Sequence, residues 1–163
     1  MTKEFHAERD DAPACTQRPS PTRRAMSLDI LREDALASTD SGFALRLSLP
    51  WIRSLPASNL TGLRVTIDGI DVSDPQIGLS GRTVTVSALA SETGWWFIQD
   101  RLVVVGAAPI PLGGAHQVGV SFQLLIPYLQ SAPDAPLTLP FHAERSLVID
   151  AAASVPTISR DVA

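Results

Sequence analysis

The stretch Trp95-Trp96-Phe97-Ile98-Gln99-Asp100-Arg101-Leu102-Val103-Val104-Val105 runs on through Pro109, Pro111 and Gly113-Gly114 into His116–Ile126, and closes with Pro127-Tyr128. It holds the densest aromatic cluster of the chain, then two runs of the β-branched and apolar residues that favour strands. The proline–glycine connection between them predicts a turn, so the two runs read as a hairpin that ends at Ile126. Trp95 and Trp96 are neighbours, and neighbours in a strand point to opposite faces. One is expected in the core. The other is expected to face outward or to lie under a loop or a partner.

Upstream, the same alternation recurs. Leu28, Ile30 and Leu36 suit short extended segments around Arg32-Glu33-Asp34, and Ser41-Gly42 punctuates. Phe43, Leu45, Leu47 and Leu49 then alternate with Ala44, Arg46 and Ser48, an apolar face against a largely polar one. Pro50 ends that strand, and Trp51-Ile52-Arg53-Ser54-Leu55-Pro56 reads as a loop. Leu63, Val65 and Ile67 lead into Asp68-Gly69, a hairpin signal, with Ile70 and Val72 beyond it. Ile77 and Leu79 form a further strand, and Ser80-Gly81 turns it into Thr83–Val86. Ser87–Ser91 is the one segment with helical character, with Ser87 as its cap.

Downstream, Ser131–Pro136 reads as a proline-broken loop. Leu137, Leu139 and Phe141 alternate, with Leu147–Ile149 extending that edge. Roughly eight to ten short strands with turn signals about every ten residues predict an all-β protein, an antiparallel β-sandwich of jelly-roll-like type. No segment sustains the helical period, which excludes a helical bundle or a βαβ fold. The expected organisation is a single sandwich domain over residues 26–150. Residues 1–25 are expected to be a disordered or irregular extension and 151–163 a frayed tail. Met26 suits a start, because patterning begins just after it.

The chain has 163 residues, enough for one domain with a real core. Its net charge of −4 and lack of a basic stripe argue against nucleic acid. A single cysteine, Cys15, allows no internal disulfide and fits a reducing compartment. No apolar run is long enough to span a membrane, and the first residues lack the apolar core of an export signal. A cytoplasmic location is the expectation.

Candidate chemistry is sparse. His6, His116 and His142 fall at no zinc spacing, and a surface hydrogen bond is the expected role of His116. Gly78-Leu79-Ser80-Gly81 lacks the last glycine and the following helix of a nucleophile elbow. Scattered carboxylates, Asp68 among them, suit turns. Trp51, Trp95, Trp96, Phe97 and Tyr128 suit core, a sugar platform or a protein interface, since tryptophan is enriched at interface anchors. Phe5-His6-Ala7-Glu8-Arg9 recurs as Phe141-His142-Ala143-Glu144-Arg145, a repeat without a physical account.

The ordered series of segments carries a resemblance. It comprises Leu49-Pro50-Trp51-Ile52-Arg53-Ser54-Leu55-Pro56, Leu63–Gly69, Gly81-Arg82-Thr83 with Leu89, and Trp95-Trp96-Phe97. Leu112-Gly113-Gly114 with His116, Ile126-Pro127-Tyr128-Leu129, and Pro140-Phe141 through Arg145 complete it. Over about residues 26–150 the chain resembles the small β subunit of bacterial C-glycoside deglycosidases. The extension before Met26 lies outside the resemblance, and Leu125 stands where the family commonly carries a basic residue.

The resemblance implies a sandwich-like, non-catalytic subunit paired with a larger TIM-barrel α subunit related to sugar isomerases and epimerases. That subunit would hold a divalent metal, manganese, and the acid–base residues. The complex would cleave the carbon–carbon bond of a 3-keto C-glycoside by elimination. This chain would carry no catalytic, cofactor or metal residue. Its contact candidates are Trp51, Arg53, Trp95, Trp96, His116 and Tyr128. A carbohydrate-binding module and a self-associating structural domain are the alternative expectations.

Overall fold

The computed structural model describes residues 29–108, 111, 113–153 and 159–162. The expectations for residues 1–25, Leu28 and the first copy of the repeat lie outside them. Among the described residues there are twelve strands. They are β1 (Leu31–Thr39), β2 (Gly42–Ser48), β3 (Leu55–Pro56), β4 (Leu60–Ile67), β5 (Ile70–Asp71) and β6 (Gln76–Leu79). Then come β7 (Arg82–Thr85), β8 (Trp95–Trp96), β9 (Arg101–Gly106), β10 (Ala115–Ala132), β11 (Ala135–Val148) and β12 (Asp161–Val162).

One sheet has the order β1-β2-β9-β6-β7, with β12 added to β9; the other runs β11-β10-β4-β5. Apart from the parallel β12 pairing, the ladders are antiparallel. The chain is an all-β sandwich, as the alternation predicts. Its core forms where Leu36, Phe43, Leu45, Leu47, Ile77, Leu102 and Val104 of one sheet meet Ile67, Val118, Val120, Phe122 and Ile126 of the other. Each such side chain stabilises the fold by about 1.5–3 kcal/mol relative to exposure.

Two turns follow the sequence directly. Asp68 (φ 50°) and Gly69 (φ 79°) join β4 to β5, and Ser80 (φ 53°) and Gly81 (φ 78°) join β6 to β7. Positive φ at both central positions is the turn whose twist matches a hairpin.

Other expectations are corrected. β9 and β10 are not a hairpin: they lie in different sheets. Both edges of β9 are taken, by β2 on one side and by β6 and β12 on the other, so the chain crosses to the second sheet and pairs there with β4 and β11. β10 does not stop at Ile126, and 131–136 is no broken loop. β10 continues to Ala132 and β11 begins at Ala135, leaving only Pro133-Asp134 as the turn, with Asp134 at φ 63°. The helical turn expected at Ser87–Ser91 is a 3₁₀ segment, Val86–Ser91, capped by the Thr85 side chain rather than by Ser87. Within 51–56, Leu55-Pro56 pairs with Trp96-Trp95 instead of staying a loop. Within the segment expected to fray, Asp161-Val162 pair with Arg101-Leu102.

Candidate partner interface

β10 pairs with β4 only as far as Leu124, opposite Leu60. Beyond that point β10 and β11 form a two-stranded arm, and their register shifts between Ile126 and Gln130. Pro127-Tyr128-Leu129 is thus a bulge. A bulge re-aims side chains, and here it turns Tyr128 toward the segment after β2. The Trp51 indole Nε1–H donates to the Tyr128 hydroxyl. The Arg53 guanidinium lies over the Tyr128 ring, its Cζ 5.4 Å from the centroid.

The same segment is tied to the aromatic stretch. Leu55 pairs with Trp96 and Pro56 with Trp95 across β3 and β8, and the Ile98 amide donates to Ser54 Oγ at 3.0 Å. Trp95 is 48% exposed and stacks on Phe97, with ring centroids 6.3 Å apart and planes inclined by 22°. Ile52, Ile98 and Leu129 are also exposed. These exposed apolar residues lie on three segments distant in sequence that the Trp51–Tyr128 bond, the β3–β8 pairing and the Ile98–Ser54 bond tie together. Clustered exposed apolar side chains are candidates for an interaction site. A cleft of ≈ 550 Å³ lined by Phe97, Gln99, Asp100 and Arg160 lies beside it.

The six candidate residues divide. Trp51, Arg53 and Tyr128 meet one another, and Trp95 is half-exposed and stacked on Phe97. Trp96 is 1% exposed, packs on Phe122 at 6.1 Å, and donates its indole N–H to the Asp100 carbonyl. His116 is buried as well, so its expected surface role is corrected. It belongs to the even-numbered series of β10, with Val118, Val120 and Phe122, that faces the core. Sequence reasoning passed over Ile52, Ile98 and Leu129 as surface members. Pro127 inside an otherwise apolar strand was the available signal, because proline in a strand marks edges and bulges.

His116 is held on both sides. The Gly113 amide donates to Nε2 at 3.0 Å, and Nδ1 lies 2.7 Å from Asp68 Oδ2. An accepting Nε2 fixes the tautomer with its proton on Nδ1, donated to Asp68. Asp68 Oδ1 accepts from the Gln117 amide at 2.8 Å. The His116 hydrogen bond first, then the Gln117 amide, hold the Asp68 carboxyl below its ordinary pKa. The pair is fully employed in pinning the β4–β5 turn to β10. Among the described residues no three His, Cys, Asp or Glu side chains converge as a metal set. The donors and acceptors of the His116–Asp68 pair are already committed to these hydrogen bonds.

A second polar cluster is structural. Arg101, buried in β9, pairs with Asp34 at 2.7 Å and Asp161 at 3.0 Å, and Arg46 pairs with Asp161 at 2.7 Å. It joins β1, β2, β9 and β12. Among the described residues no helix is long and apolar enough to cross a membrane.

The architecture is that of a β-sandwich that exposes several aromatic side chains, Trp95, Phe97 and Tyr128. No family model matches the chain. Curated relatives do. It is 34% identical over 104 residues to the C-glycoside deglycosidase beta subunit of Arthrobacter globiformis, covering 61% of this chain and 79% of that protein. It is 32% identical over 106 residues to the 3'-dehydrocarminate deglycosidase beta subunit of a Microbacterium species, covering 63% and 80%. A C-glycoside deglycosidase beta subunit of Microbacterium trichothecenolyticum is 31% identical over 103 residues, covering 61% and 79%. The chain belongs to the C-glycoside deglycosidase beta subunit family.

Proposed function

We propose that this chain is the small, non-catalytic β subunit of a C-glycoside deglycosidase. In this reading it docks through the Trp51–Trp95–Tyr128 surface onto a larger α subunit of the TIM-barrel sugar isomerase and epimerase type, and shapes the entrance to that subunit's active site. The observation that carries the reading is the exposed aromatic face on a member of a family whose relatives are named as beta subunits. The assembly is a lyase-type, bacterial and cytoplasmic one, acting in carbohydrate metabolism.

The α subunit supplies the acid–base residues and a divalent ion, manganese, whose chemistry is to polarise the keto oxygen of a 3-keto C-glycoside. The keto group acidifies the neighbouring C–H. A base removes that proton, the electron pair forms a carbon–carbon double bond in the sugar, and the bond to the aromatic aglycone breaks. The departing aryl carbon takes a proton. This chain contributes none of these groups; its part is to hold the partner's entrance in one shape.

The test is the native mass of this protein co-expressed with the product of its neighbouring gene. A stable hetero-complex, containing metal and active on a 3-keto C-glycoside, is the expected result. A lone chain indifferent to that product overturns the reading. The stacked, half-exposed Trp95–Phe97 pair favours a second reading, a carbohydrate-binding module, because flat aromatic faces suit sugar rings. Glycan titration of the isolated chain decides it, and a self-associated lone chain points instead to a structural domain.

A further inference from the structure

Arg53 makes a different kind of contact from five other arginines. Arg46, Arg64, Arg82 and Arg101 each meet a carboxylate of this chain, and Arg145 donates to the Leu31 carbonyl at 2.8 Å. Arg53 is exposed, and its contact is with the face of the Tyr128 ring. A contact with a ring face occupies no hydrogen-bond acceptor, so it does not use the N–H donors of the guanidinium fork. None of those donors meets an acceptor among the described residues. Tyr128 is itself fixed by Trp51, so the cation stands on a braced platform. The Tyr128 oxygen accepts from Trp51, which leaves its own O–H to donate.

The exposed neighbours of this cation are apolar: Ile52 at 71% exposure precedes it, Leu129 follows Tyr128, and the amide of the exposed Ile98 bonds Ser54. A protein that covers these neighbours strips water from the guanidinium. An uncompensated buried charge is heavily penalised, whereas a carboxylate matches the planar fork with two parallel hydrogen bonds. A pre-positioned fork also loses less freedom on binding.

We propose that Arg53 reads a carboxylate on the partner subunit, whose docking face is apolar around one acidic side chain. The inference rests on the partner reading above and deepens it by stating what the partner brings. Arg53 orients the complex, and the exposed apolar side chains supply the buried area. It is a specificity-determining contact, with no part in the chemistry.

The test titrates Arg53→Ala, Arg53→Glu, Arg53→Lys and Trp95→Ala variants against the co-expressed α subunit at several salt concentrations, after urea denaturation has shown that each folds. Arg53→Ala is expected to weaken the complex about 30-fold or more and to flatten its salt dependence. Arg53→Glu is expected to weaken it further, and Arg53→Lys to recover only part of the loss, since a lysine cannot make the paired hydrogen bonds. If Trp95→Ala weakens the complex while Arg53→Ala and Arg53→Glu leave affinity and salt dependence unchanged, the carboxylate inference falls and the docking face stands. If no variant weakens it, or the wild-type chain forms no hetero-complex, both fall.

Discussion

The indole N–H of Trp51 donates to the hydroxyl of Tyr128 across a separation of 77 residues. The bond joins the loop after β2 to the bulge of β10, two segments from opposite sheets. Tyr128→Phe removes the acceptor and keeps the ring under Arg53. The bond is exposed and water replaces it in part, so the expected loss is about 1 kcal/mol. Tyr128→Ala also removes the platform, and is expected to weaken α-subunit binding more than Tyr128→Phe does. Urea midpoints and binding isotherms of the two variants separate these effects.

Trp95 and Trp96 are predicted to fail in opposite ways. Trp96 fills the core against Phe122, and Trp96→Ala is expected to cost about 3–5 kcal/mol, enough to unfold a marginal domain. Trp95→Ala is a surface change, expected to alter stability by about 0.5 kcal/mol or less. Its loss belongs to the complex, at about 2 kcal/mol or more for an anchor residue. A destabilised Trp95→Ala with unchanged assembly would reverse the assignment of faces.

Acid is predicted to loosen the β4–β5 turn. The Asp68 carboxyl is lowered by the His116 hydrogen bond and the Gln117 amide, so the folded state favours its charged form. The stability this gives is fully present above the unfolded carboxyl pKa of about 4, and is lost as pH falls through the lower folded value. Asp150, lowered by the Ser38 hydroxyl and amide, has the same sign. Asp68→Asn retains a residue suited to positive φ and removes the charge. Its stability deficit against wild type is expected to be largest near pH 6 and to shrink toward pH 3. A deficit independent of pH would contradict the linkage.

What the sequence reveals of this fold is mostly local. Asp68-Gly69 and Ser80-Gly81 announce their hairpins because each ends in a glycine, which takes positive φ without steric cost. Period two separates Trp95 from Trp96. The partners of β9 are different in kind. Nothing between Val105 and His116 says that both edges of β9 are occupied, since the strands that occupy them come from residues 43–48, 76–78 and 161–162. Prolines misled for a physical reason. Pro127 and Pro133 lack a donor, which usually ends a strand, yet here they sit in a bulge and a tight turn that need none. His116 was misread from its neighbours Gly113-Gly114, when its parity with Val118 and Val120 already pointed inward. The candidate surface was half legible: its aromatics stand out, but the bond that gathers them depends on a bulge that pattern does not show.

Arg101 is predicted to be the most sensitive charge in the molecule. Arg101→Ala leaves the partly buried Asp34 without its cation and frees Asp161 from one of its two arginines, at an expected cost of about 3 kcal/mol. The double variant Arg101→Met with Asp34→Leu removes both charges of the pair, and is expected to recover most of that loss. Hydrogen exchange at Asp161-Val162 reports the second effect: protection there is expected to fall in Arg101→Ala before that of β2 does.

Gly119 and Gly42 separate two kinds of steric limit. A Cβ on Gly119 would lie 2.5 Å from Thr66 Oγ1, its cross-strand neighbour, and a Cβ on Gly42 would lie 2.1 Å from the Gly106 carbonyl oxygen. A hydroxyl can be deleted, but a backbone carbonyl in a ladder cannot. Gly119→Ala is therefore expected to destabilise by about 1–3 kcal/mol, and Thr66→Ala in the same chain to return most of it. Gly42 also has a φ of 154°, so Gly42→Ala meets both backbone strain and a fixed atom. It is expected to cost more, with no rescue from any single side-chain change on β9. Denaturation midpoints of the Gly119/Thr66 cycle decide the first case. If Thr66→Ala fails to restore Gly119→Ala, the constraint at that crossing lies in the backbones of β4 and β10 rather than in the threonine.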